Sequence, residues 1–111
     1  MPNPTPFVYE VNLAIHPSAV TEFEQWLKPH IEEMLGFEGF LHANWYTRRA
    51  EDEGNDKEVV LWTIHYHLSS QNAFDRYLQT HAERMRAEGL QRFSGVFTAT
   101  RRLLHTHRNF I

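Results

Sequence analysis

The sequence predicts an α+β domain whose elements run strand-helix-strand-strand-helix-strand. Three observations predict it. Four segments alternate apolar and polar residues with the period of a strand, two others repeat apolar residues every three or four positions as an amphipathic helix does, and a polar stretch containing Gly54-Asn55 joins the middle strands as a hairpin would.

The first segment, Phe7 to Ile15, places Phe7, Tyr9, Val11, Leu13 and Ile15 on one face and Val8, Glu10, Asn12 and Ala14 on the other. Pro17 and Ser18 then open a helix carrying Val20, Phe23, Leu27, Ile31 and Met34, flanked by Trp26 and His30 and ending near Gly36. Pro29 has no N–H to donate, so a kink or short break is expected there. From Gly39 to about Arg49 a second strand sets Leu41, Ala43, Trp45 and Thr47 against Phe40, His42, Asn44, Tyr46 and Arg48. After the loop at 50–58, Val59 to Leu68 alternates Val60, Trp62, Ile64, Tyr66 and Leu68 with Val59, Leu61, Thr63, His65 and His67. Its first half is apolar on both faces, which predicts a central strand. Ser69 or Ser70 caps a second helix with the stripe Phe74, Tyr77, Leu78, His81, Ala82 and Met85, stopping at Gly89, and Leu90 and Phe93 read as a packed turn. The last strand, Val96 to about His105, opposes Phe97, Ala99 and Leu103 to Thr98, Thr100 and Arg102.

Short connections and right-handed crossovers turn this order into a four-stranded antiparallel sheet with two helices on one face, the ferredoxin-like βαββαβ arrangement. It is read as one domain over residues 1–111, with tails at 1–6 and 106–111. The face without helices still carries Val8, Ala14, Val59, Leu61, Val96, Leu104, Phe40 and Tyr46, too apolar a set to leave in water. A homodimer packed sheet to sheet is therefore expected, since one self-complementary patch covers both copies.

Composition narrows the function classes. In 111 residues, 41% are hydrophobic and 23% charged, which is ordinary globular usage. No apolar run is long enough to cross a bilayer and residues 1–6 lack a signal-peptide pattern, so a cytoplasmic protein with no membrane partner is expected. The lack of cysteine removes thiolate chemistry and Cys-ligated metals, and a net charge of -3 without a basic stripe argues against nucleic acid as a partner. There is no Gly-rich phosphate loop and no Gly-x-Ser-x-Gly elbow.

What remains is a polar constellation on the open face. His65 and His67 are two apart on a strand, so both imidazoles point the same way at about 7 Å spacing; with His42 or Glu10 they approximate a three-ligand metal site, or else they line a polar cavity or bond across a dimer interface. Glu10 and Asn12 share the open face of the first strand, next to the third. A Glu beside a His makes either an acid-base pair or an interface salt bridge. Arg102, with Thr98 and Thr100, could offer a forked donor to a small carboxylated or phenolic ligand, or serve as edge-strand polarity against aggregation. Trp26, Trp45 and Trp62 read as core or interface anchors, His81 as a core histidine, and His105 and His107 as a terminal repeat of the two-apart spacing.

Several stretches, YEVNLAI, FEQWLKPHIEEML, GFLHANWY and HAERMRAEGLQRFSG with TATRRL, resemble the dimeric α+β-barrel superfamily, which includes antibiotic-biosynthesis and haem-degrading monooxygenases, and within it a small bacterial family of unknown function. The resemblance implies a dimeric barrel. In the haem-degrading relatives it implies an Asn, Trp and His set; Asn12 matches the first, but Tyr77 and Ala87 stand at the other two places, so the iron ligand is missing. Three readings stay open. The first is a non-catalytic homodimer binding a small aromatic or anionic ligand through Glu10, Asn12, His42, His65, His67 and Arg102, with no cofactor. The second, implied by the resemblance, is a cofactor-independent monooxygenase in which the substrate anion reacts with oxygen and His65 or His67 is the base. The third is a metal-binding protein using His65 and His67.

Overall fold

A computed structural model describes residues 7–55 and 57–110; the expected tail at 1–6 and the last residue of the tail at 106–111 lie outside the described residues. In chain order the elements are β1 (Phe7–Ile15), a 3-10 turn (Pro17–Ala19), α1 (Val20–Met34), β2 (Phe40–Arg48), a second 3-10 turn (Ala50–Glu53), β3 (Val60–Leu68), α2 (Gln71–Thr80), α3 (Ala82–Arg92) and β4 (Phe97–His105). All strand pairings are antiparallel in the order β2-β3-β1-β4, so β1 and β3 are central.

The predicted alternation in β1 and β3 holds. Phe7, Tyr9, Leu13 and Ile15, with Trp62, Ile64, Tyr66 and Leu68, are buried together with Phe23, Leu27 and Met34 of α1, Phe74 and Tyr77 of α2 and Met85 of α3. The helices thus cover one face of the sheet. Burying each large side chain contributes about 1.5–3 kcal/mol. No helix among the described residues is long and apolar enough to cross a membrane.

Several expectations are corrected, each for a local physical reason. Phe40 does not belong to the open face: Phe40 pairs with Leu68 while His42 pairs with His67, leaving Leu41 as the extra residue of a β-bulge. Phe40 turns into the core at 5% exposure and Leu41 out at 53%. Gly39 leads into the bulge with φ +86°, packed so closely on Ala73 that a Cβ would fall 2.2 Å from the Ala73 Cβ.

The second helix is two helices. His81 leaves helical geometry at φ -127° and ends α2 while starting α3. The buried residues explain the break: Tyr77 and Ala82 both face the core, five positions apart, and an unbroken helix would have turned Leu78 inward where the structure leaves it exposed. His81 is half-buried and stacks on Phe37 at 4.0 Å, outside the core cluster. α3 also runs through Gly89 instead of stopping there, because the Trp26 ring lies 3.0 Å from where a Gly89 Cβ would be. Leu90 is consequently an exposed helical residue, and Phe93 caps the helix from the core.

Pro29 sits within α1, which continues through it from Val20 to Met34. Pro29 and Gln25 are exposed, which places the Gln25 carbonyl that Pro29 cannot bond on the solvated side of the helix.

The bulge gives a direct comparison. Phe40→Ala is expected to cost about 3–5 kcal/mol and Leu41→Ala less than about 0.5 kcal/mol, measured by chemical denaturation. Equal costs would place both residues on the same kind of surface and contradict the bulge.

Candidate functional site

Strand register assembles the open-face site. Glu10 in β1 lies directly opposite His65 in β3 and Arg102 in β4, while Asn12 lies opposite Thr63 and Thr100. Side chains paired across strands on one face stand about 5 Å apart, close enough for direct hydrogen bonds. The Glu10 carboxylate uses both oxygens: Oε1 accepts from His65 Nε2 at 2.8 Å, and Oε2 accepts from Asn12 Nδ2 at 2.8 Å and from Arg102 Nε. Thr63 Oγ1 donates to Asn12 Oδ1 at 2.6 Å and so fixes the amide that faces Glu10. Without any partner chain Glu10 is already only 5% exposed.

That environment decides the charge of Glu10. Burial by itself raises the carboxyl pKa, but the hydrogen bonds from Asn12, Arg102 and His65 and the charge of Arg102 outweigh it and hold the group at about 2, below its ordinary 4.5. An ionised carboxylate can only accept, so the bond with His65 puts the ring proton on Nε2. In the neutral ring Nδ1 is then the basic nitrogen. Among the described residues it has no hydrogen-bond partner, and the Tyr46 ring meets the imidazole edge-on at 5.1 Å.

The six residues expected at the site divide into two groups. Glu10, Asn12, His65 and Arg102 border one open recess of about 800 Å³, together with Thr63, Thr100, Tyr46 and Arg48. His42 and His67 stand beside it as a separate pair, stacked at 4.0 Å, with His67 Nε2 donating to Asn44 Oδ1 at 2.9 Å. Burial, then the nearby His42 and His65, lower the His67 pKa. Of the alternatives for His65 and His67, sharing one metal ion has no support from the side-chain geometry, since His65 is turned to Glu10 and His67 to Asn44. Among the described residues no three His, Asp or Glu side chains are grouped to hold a metal ion.

Five recess residues, Thr63, Tyr46, Arg48, Glu53 and Arg101, are not assigned to the site by the sequence. Thr63 was read only as a strand position, and Tyr46 only as part of the apolar surface. Their register, Asn12 opposite Thr63 and Thr63 opposite Tyr46, was the available signal. Arg48 borders the recess and its Nη1 donates to both carboxylate oxygens of Glu53, at 2.7 and 2.8 Å.

The chain belongs to the family described as Domain of unknown function (DUF4286), whose profile matches residues 6–107. No curated protein matches. Among solved structures the fold is similar to SnoaB, a cofactor-independent oxygenase from Streptomyces nogalater, at TM-score 0.66 and 19% identity over 93% of this chain and 95% of that one. It is also similar to a dimeric ferredoxin-like protein from an uncultured marine organism, at TM-score 0.68 and 13% identity over 95% and 99%. A third similar structure, from Deinococcus radiodurans, is assigned to the antibiotic-biosynthesis monooxygenases, at TM-score 0.65 and 11% identity over 95% and 98%. These likenesses show a ferredoxin-like α+β fold, and at such identities the fold alone.

The depressed Glu10 pKa has a signed consequence. The unfolded chain takes up this proton near 4.5 and the folded one only near 2, so Glu10 stabilises the fold above pH 4.5 and loses that contribution as pH falls toward 2. The loss is on the order of 3 kcal/mol, at about 1.4 kcal/mol per pH unit. Denaturant unfolding of the native protein between pH 5 and 2 is expected to show that decline, and Glu10→Gln is expected to flatten it. An unchanged slope in Glu10→Gln would assign the acid sensitivity elsewhere.

Proposed function

We propose that the protein is a homodimer, one domain per chain, that binds a small aromatic or anionic ligand in the open-face recess, two sheets packing face to face into a barrel around it. The observation that carries this reading is the recess itself: about 800 Å³ over a floor whose polar groups already satisfy one another. Small-molecule sites fall in a range of about 300–1,000 Å³. A preformed floor needs no reorganisation to receive a ligand.

The lining suggests the ligand class. Arg102 spends its Nε on Glu10, which leaves its terminal N–H groups for an anion, and Arg101 also borders the recess. Tyr46 supplies an aromatic wall. The rim retains apolar surface, with Tyr46 46% and Leu104 37% exposed, which a second sheet would cover. The likeness to a dimeric ferredoxin-like protein supports that arrangement.

A second reading has its own observation in favour. The Glu10–His65 pair orients an imidazole with Nδ1 free, as a general base requires. With a phenolic ligand, His65 Nδ1 would take the phenol proton, and the resulting anion is the species that a cofactor-independent oxygenase such as SnoaB would present to oxygen. Binding alone requires no such step.

Titration calorimetry with 4-hydroxybenzoate as the probe is expected to show saturable binding, weakened at least tenfold in Arg102→Ala. No heat from the native protein, or equal affinity in the variant, would remove the recess as the site. Oxygen consumption with the same probe separates the two readings: uptake that disappears in His65→Gln makes the protein an oxygenase, and its absence leaves a binding protein.

A further inference from the structure

On the other side of the sheet, between it and the helices, lies a second cavity of about 50 Å³. Its polar lining is Tyr9, Tyr66, Tyr77, His30, Arg86 and Arg101, set among apolar side chains, and none of its lining residues is an Asp or Glu. Tyr9 and Tyr66 are register partners stacked at 5.9 Å, and the Tyr77 ring lies 6.0 Å from Tyr9. Burial raises the pKa of Tyr66 and Tyr77, so both phenols keep their protons and remain able to donate.

The cations in this cavity are left in an unusual state. Arg84, two residues before Arg86, is paired with both Glu33 and Glu88, whereas neither Arg86 nor Arg101 has a carboxylate partner among the described residues. Arg86 donates one terminal N–H to the Tyr9 hydroxyl at 3.1 Å, but its Nε is buried with no acceptor. His30 Nδ1 is likewise buried without a partner, its ring held at 4.4 Å against Trp26. Each buried donor left unmade costs about 1–3 kcal/mol. Two of them facing one cavity, beside two unpaired guanidinium groups, describe a binding site for negative charge.

We propose that this cavity binds one small carboxylate of formate or acetate size, its oxygens accepting from Arg86 Nε and His30 Nδ1 and its carbon end resting against Phe23 and Trp26. The volume sets the size limit. A water needs about 10–15 Å³ of such space, so about 50 Å³ holds three or four waters or one small planar anion, and no aromatic acid. Burial lowers the His30 pKa, so near neutral pH the ring is neutral and the tautomer with its proton on Nδ1 is the one a carboxylate selects. The site lies on the opposite side of the sheet from the open-face recess, shares Arg101 with it and does not depend on its assignment.

The test is a titration of the 15N-labelled protein at pH 7 and constant ionic strength, following the Arg86 Nε–H and Trp26 Nε1–H resonances. Sodium acetate is expected to shift both saturably, while sodium chloride and sodium benzoate leave them unmoved, the first because a monatomic ion cannot accept from both donors at once and the second for size. Arg86→Gln is expected to weaken the acetate response at least tenfold. If Arg86→Gln does not fold, the acetate, chloride and benzoate series on the native protein still decides. Absence of a saturable acetate shift means the cavity holds only water, and an equal response to chloride means an unselective positive pocket; either result overturns the proposal.

Discussion

One carboxylate organises the open half of this molecule. Glu10 sits at the middle of a central strand, on the face that no helix covers, and stays ionised because Asn12, Arg102 and His65 all donate to it. An unpaired charge in so dry a place would be costly, and removing any one donor would leave the others to carry it. The position of Glu10 therefore fixes three further side chains, Asn12 on its own strand and His65 and Arg102 on the two neighbouring ones. It also sets the tautomer of His65 and holds Arg102 through its Nε at the border of the recess.

The helices impose the complementary constraint. α1, α2 and α3 all bury their apolar residues against one face, so the sheet separates two chemically different spaces. On the open side Glu10, Asn12, Thr63, His65 and Arg102 are linked by hydrogen bonds in the floor of a wide recess. On the helix side the space is small, lined by protonated phenols and unpaired cations. β1 contributes to both through its alternation: Glu10 and Asn12 look one way, Tyr9 and Val11 the other.

Much of this was legible in the sequence because strand alternation is a strong signal when one face is apolar. FVYEVNLAI and VVLWTIHYHL show their inward and outward sets directly, and with them the neighbourhood of Glu10 and His65, whereas the ion pair of Glu10 with Arg102 emerges only from the register of β1 and β4. The failures share one cause, a local shift of register that no periodic pattern reports. The bulge at Leu41 exchanged the faces of Phe40 and Leu41, and the break at His81 allowed Tyr77 and Ala82 to face the core together. The separation of His67 from His65 was hidden for another reason, since equal spacing on a strand says where two rings point and nothing of which neighbours they bond. Arg86 and His30 were invisible as a site because they come from different helices and meet only through tertiary packing.

The account stands or falls on whether a second sheet closes the open face, and sedimentation equilibrium of the native protein beside Leu104→Arg tests that most directly. Leu104 lies on β4 opposite Val8, exposed on the surface the two sheets would share and outside the Glu10 network. The account predicts the mass of two chains for the native protein and of one chain for the variant, with the same circular dichroism spectrum. A native protein that sediments as a single chain, or a variant that still sediments as two, would contradict it.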